Sequence, residues 1–373
     1  MTVHRILVAS YTPNITTLEF DDVEHTLKPI ALSPAGTNPS WIAAHPTERT
    51  LVLATNEVTD GKVHLFRLQQ DGKLKLLESV GSAGEDPAHL AVLDSQVIVG
   101  NYSSGSILAV PFSTTAPHFL AALDPIQLTG TGPNLSRQAS SHPHQIFPHG
   151  SQLLVPDLGA DRVIRFEKND KGEWTEVGDI KASKPGAGPR HVQVYDRILY
   201  VIDELTNTLS AHVHTLSTPS QYLASVSTLP LKPHANHLLS AAIESSVPES
   251  STPRGPSTAL PLLAAELLLV TEPEPLLFAT NRNEVHPEGD SISIFTPLKG
   301  DDILTFKMIG SVRTGLKHAR GAAFGGPGDK WLVVGGADKG GVKVFERSGA
   351  RGEVLSAVAH MPGIVAPTGF LWV

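Results

Sequence analysis

The residues of this chain best able to do chemistry sit in short motifs, and the motifs recur at the same points of a repeated unit. His142 and His144, Arg190 and His191, Glu266 and Arg320 stand at the starts of apolar segments. Asn56 and Glu57, Asn101 and Tyr102, Asp157, Glu204 and Arg282 stand at the ends of others. Guanidinium groups grip carboxylates and phosphates through paired N–H donors. Glutamate and histidine add proton transfer near neutral pH once their surroundings tune them. Arginines 190, 282 and 320 facing one cavity, in a chain of net charge −8, would point to an anionic ligand. The structural alternative is that each arginine pairs with an acid of a neighbouring repeat and locks the fold.

The elements that carry these residues read as strands. Asn38-Pro39-Ser40-Trp41 leads into IAAHP, TLVLATNE and KVHLFRL; Asp86-Pro87-Ala88-His89 leads into LAVL, QVIVGNY and SILAVPF. His142-Pro143-His144 and Gly188-Pro189-Arg190-His191 open two more copies, and LLAAELLLV and ARGAAFG two others. The opening prolines return about every 50 residues, the spacing of four-stranded propeller blades. Short apolar and alternating runs rich in β-branched residues favour strand, and no helical period persists. Six copies leave RILVASY and ITTLEF at one end and PTGFLWV at the other. Pairing these ends in one blade closes a ring and removes exposed sheet edges. The expected fold is therefore all-β, a seven-bladed propeller of four-stranded antiparallel blades spanning 1–373 as one domain. A Ser/Pro-rich insertion at about 230–259 is expected to form a surface loop.

In an up-and-down blade, the start of the innermost strand and the end of the next lie on one face. The polar motifs of several repeats should then ring one funnel. Apolar residues make up 40% of the chain and charged ones 18%, enough for a large core. The acidic balance argues against a nucleic-acid partner, and no segment is long and apolar enough to span a membrane. The chain has no cysteine, which excludes disulfides and thiolate chemistry. With no secretory leader legible at the N-terminus, a cytoplasmic location is expected.

GTGPNLSRQ, SHPHQ, LLVPDLGADRV, GAGPRHVQV, LYVIDEL, AAEL and ATNR with SISIF strongly resemble the seven-bladed lactonase family, whose best-known members are propeller-type 6-phosphogluconolactonases. That family also includes fungal carboxy-cis,cis-muconate cyclases, which use a His, two Arg and a Glu on the funnel face. The resemblance implies His142 as the histidine, with His144 as the other candidate, and Arg190, Glu204 and Arg282 as the remaining catalytic residues. His144, His191, Glu266, Arg320, Asn101, Tyr102 and Asp157 are expected to bind substrate. Arg320 stands in ARG where many relatives have PRG.

The implied reaction is hydrolysis of a sugar-acid lactone, 6-phosphogluconolactone or a related aldonolactone, with a small anionic lactone as partner. Arg190 and Arg282 would hold its anionic end, and Glu204 or His142 would activate water. The alternatives are a lactonising isomerase of the cyclase type and a non-catalytic interaction scaffold. No cofactor is expected. His142, His144 and Asp157 lack further ligands for a metal, so none is expected either.

Overall fold

The computed structural model describes residues 2–121, 123–215, 220–230, 260–300 and 302–373. The Ser/Pro-rich insertion, apart from Pro230, lies outside the described residues. Seven antiparallel sheets of four strands follow one another along the chain. Blade one joins both ends of the chain, its innermost strand being Pro367–Trp372 and its others Val3–Ser10, Asn14–Asp21 and Thr26–Pro34. The innermost strands of blades two to seven are Ile42–Ala44, Pro87–Val92, Phe147–His149, Pro189–Tyr195, Leu263–Val270 and Lys317–Gly325. The expected closure is present: Val8 pairs with Phe370, Leu7 with Leu371 and Ile6 with Trp372.

What holds the ring is a set of seven apolar clusters, one between each pair of neighbouring blades. The second strand of blade two shows how the sequence does this. Leu51 and Leu53 pack toward blade three, while Val52 and Ala54 pack toward blade one. Successive side chains of a strand point to opposite faces, and here each face meets another sheet. Such a strand is buried on both faces, which explains the continuous apolar runs within LVLATN, QVIVGN and ILYVID. The outermost strands face water on one side and turn amphipathic, as in Leu74–Gly81. Among the described residues, no helix is long and apolar enough to cross a membrane.

Candidate active site

Five of the seven blades share one local device at the start of the innermost strand. In blade five, Pro189 pairs with Asp203 and His191 with Ile202, so Arg190 is left over as a bulge. Blade three skips Ala88, blade six Ala265 and Glu266, blade seven Arg320 and Gly321, and blade one Thr368. A bulged residue has no ladder partner, and its side chain is re-aimed. That device presents Arg190 and Arg320 from equivalent positions of two blades. Gly321 permits the close passage in blade seven, since a Cβ there would lie 2.1 Å from the Thr368 carbonyl oxygen.

The second contribution comes from just beyond the neighbouring strand. The backbone N–H groups of Tyr11, Glu57, Tyr102, Leu158 and Glu204 donate to the carbonyls of Ala366, Asn38, Asp86, His142 and Gly188. This repeated bond fixes the first residue after each strand at the mouth. The residue before it turns into the wall. Asn101 donates to the Ser82 carbonyl at 2.9 Å and to Ser106 Oγ at 3.1 Å, and Asn281 makes the matching bonds to Thr228 and Ser291. Asp157 accepts from the His142 N–H at 2.7 Å and the Ala160 N–H at 2.9 Å. Asn101 and Asp157 are thus not among the side chains brought together at the mouth. Asp157 instead fastens the segment that carries His142.

Glu204 is the hub of the site. Its Oε2 accepts from Arg190 at 2.6 Å and pairs with Arg282 at 2.8 Å, while its Oε1 accepts from Arg137 at 2.6 Å. Burial alone would raise the carboxyl pKa, but the guanidiniums of Arg282, Arg190 and Arg137 outweigh it and hold Glu204 well below the usual carboxylate range. Burial pulls Arg282 down to about 10 despite Glu204 beside it. Arg190 also donates to the Ala265 carbonyl at 2.9 Å and contacts His144 Nε2, and Arg282 donates to the Ala264 carbonyl at 3.0 Å. Burial and then Arg190 keep His144 well below the ordinary histidine pKa, so it is neutral.

Arg137 was not among the expected site residues. It belongs to GTGPNLSRQ, where a polar run between strands gave no strand register by which to place it. Its neighbour Gln138 is fully buried and ties the loop down, donating to the Leu158 carbonyl at 2.9 Å and to Asp161 at 3.1 Å. Gly132 makes room for it, because a Cβ there would lie 2.5 Å from the Gln138 amide. Asp161 in turn accepts from the N–H groups of Gly186 and Gly188 at 2.6 and 2.9 Å. One carboxylate therefore clamps both the loop bearing Arg137 and the loop leading to Arg190.

His142 is half-buried and stacks on the Tyr102 ring at 4.5 Å with 12° between the planes. Its Nδ1 lies 2.8 Å from the Tyr102 carbonyl oxygen. A carbonyl only accepts, so Nδ1 carries a proton, and in the neutral ring the lone pair is then on Nε2. The Tyr102 hydroxyl accepts from Arg137 at 3.3 Å, which links His142 to the arginine cluster. Burial raises the Tyr102 pKa, so its hydroxyl stays a donor.

His191 and Glu266 lie one residue deeper along their strands and meet each other at 2.6 Å. With Trp41 and His89, whose rings are 4.1 Å apart, they fill the channel beneath the mouth. Arg320 lies over the Tyr11 ring and 3.7 Å from Glu57. Tyr11 and Glu57 therefore belong to the mouth as well. The position of Tyr11 is not legible in the sequence, because the inner strand that sets its register, Pro367–Trp372, is at the opposite end of the chain.

A closed ring of seven four-stranded blades with arginines, a glutamate and histidines gathered at one mouth defines a seven-bladed β-propeller with a charged site on its axis. The chain matches the family described as Lactonase, 7-bladed beta-propeller over residues 5–367, and it belongs to that family of lactone-hydrolysing enzymes. A relative named probable 6-phosphogluconolactonase from Arthroderma benhamiae is 29% identical, covering 98% of this chain and 88% of the relative. The 6-phosphogluconolactonase of Bacillus subtilis is 25% identical, covering 95% and 94%. The periplasmic gluconolactonase PpgL of Pseudomonas aeruginosa shares the fold, with a TM-score of 0.79 at 19% identity over 100% of this chain and 99% of that one.

Proposed function

We propose that the protein hydrolyses the lactone of a sugar acid at the mouth of the channel, with His142 as general base. The observation that carries this reading is the tautomer of His142. Its Nδ1–H is committed to a backbone carbonyl, and its Nε2 accepts no hydrogen bond among the described residues. Glu204, the other candidate base, is a poor one: three arginines occupy its oxygens and keep it anionic. Its part is to hold those guanidiniums together in a buried place where they would otherwise repel one another.

In the reaction, Nε2 takes a proton from water as the water oxygen bonds to the lactone carbonyl carbon. The charge that develops on the carbonyl oxygen is met by the Tyr102 hydroxyl, whose ring stacks on His142, and by Arg137, which donates to that hydroxyl. The ring C–O bond then breaks, and its oxygen receives the proton back from Nε2–H. The product is the open hydroxy acid. The relatives' names favour the 6-phosphate of gluconolactone as substrate, with unphosphorylated gluconolactone as its comparator.

Acid release from both lactones, measured at constant pH above the spontaneous rate, tests the proposal. Turnover by the wild type that is lost in Arg190→Ala is the expected result. Absence of turnover on every sugar-acid lactone, with consumption of a carboxymuconate instead, would replace hydrolysis by the cyclase reaction.

A further inference from the structure

The four arginines at the mouth are not equivalent. Arg137, Arg190 and Arg282 each donate hydrogen bonds to Glu204 or to backbone carbonyls. Arg320 donates none among the described residues. Its guanidinium lies over the Tyr11 ring, 5.0 Å from Cζ to the ring centre, and stands 3.7 Å from Glu57, too far for a hydrogen bond. The Tyr11 hydroxyl donates to Glu57 Oε1 at 3.0 Å, fixing both residues. The aromatic face holds the guanidinium plane and leaves its N–H edge open. The Arg320 side chain is 17% exposed, against 4% for Arg190 and 5% for Arg282. Burial would lower its pKa, but Tyr11 and Glu57 more than reverse that, so Arg320 remains charged.

We propose that Arg320, seated on Tyr11 and steered by Glu57, is the station for a second acidic group of the substrate, remote from the lactone carbonyl. The inference rests on the lactonase reading and narrows it to aldonolactones that carry an exocyclic phosphate or carboxylate. Tyr102 and His142, where the lactone carbonyl is placed, come from blades three and four, whereas Arg320 comes from the bulge of blade seven and rests on Tyr11 of blade one, so the two points lie on different parts of one rim. Glu57 offsets part of the Arg320 charge without occupying its donors. The station therefore suits an anion that fills the guanidinium fork rather than any passing counter-ion.

Equilibrium binding of the product acids by calorimetry tests this without requiring turnover. The ligands are gluconate, 6-phosphogluconate and glucarate, which carry no second acid, a phosphate and a second carboxylate. The wild type should bind one of the diacids about 10- to 100-fold more tightly than gluconate. Whichever diacid gains more identifies the group. Arg320→Gln should abolish that ratio, and Arg320→Lys, which keeps the charge but loses the fork, should restore part of it. Equal affinity of the wild type for all three acids would overturn the proposal, as would a ratio unchanged in Arg320→Gln. Tight diacid binding by a wild type that opens no lactone would sustain the station and sink the lactonase reading.

Discussion

Glu204 and Arg190, on the two innermost strands' ends of blade five, meet at 2.6 Å with both side chains all but excluded from water. The same carboxylate takes Arg282 from blade six and Arg137 from the loop before blade four. A buried carboxylate shared by three guanidiniums leaves little room for substitution, since its removal strands like charges in a low-dielectric site.

Glu204→Gln keeps the shape and deletes the charge. Breaking a buried pair from one side costs about 3–5 kcal/mol. We expect a clear fall in unfolding midpoint by urea and loss of lactone turnover, with Glu204→Asp intermediate in both. The Glu204 pKa is depressed by folding, so its stabilisation is present above the unfolded carboxylate range and fades only in strong acid.

His142→Gln should lower kcat by about 10²–10⁴-fold while leaving KM within a few fold, the signature of a lost general base. Equal losses in His144→Gln, whose imidazole is bound to Arg190, would move the base to that residue.

Arg137→Met removes one of the three guanidiniums and the donor to Tyr102. Its effect should fall on kcat, by about 10²-fold or more if it stabilises the oxyanion. A rise confined to KM would instead mark it as a ground-state contact.

Asp203 provides a test of stability against pH. Burial pushes its carboxyl up to about 7, and its Oδ2 accepts from both Ser183 and Thr208. The folded protein thus holds a proton that the unfolded chain releases near pH 4. Stability from this group is full below that value and is lost as pH rises through about 7. Asp203→Asn, which copies Asn101 and Asn281 of other blades, should raise the melting temperature by several degrees at pH 8 and little at pH 5.

The strands were legible because each blade repeats one pattern, and the funnel because two register points recur in each copy. Within each register point, however, the sequence could not separate neighbours. Asn101 and Tyr102 are adjacent and both polar, yet one bonds the wall and the other stacks on His142. A strand alternates its faces, so a single residue of register decides which side chain meets the channel. His191 and Glu266 were placed on the correct strands but lie a layer deeper than the mouth.

By itself the sequence determined the number of blades, the closure of blade one by both chain ends, and the face on which the polar motifs gather. These follow from local periodicity and from the need to bury both faces of every sheet. Only the tertiary structure decided that Glu204 gathers three arginines, that Arg137 reaches it from a loop, and that Arg320 stands on Tyr11 with its donors open. Those relations join residues from different blades and from both ends of the chain. Their geometry is set by how side chains of neighbouring blades and loops meet across the closed ring, which no local pattern encodes.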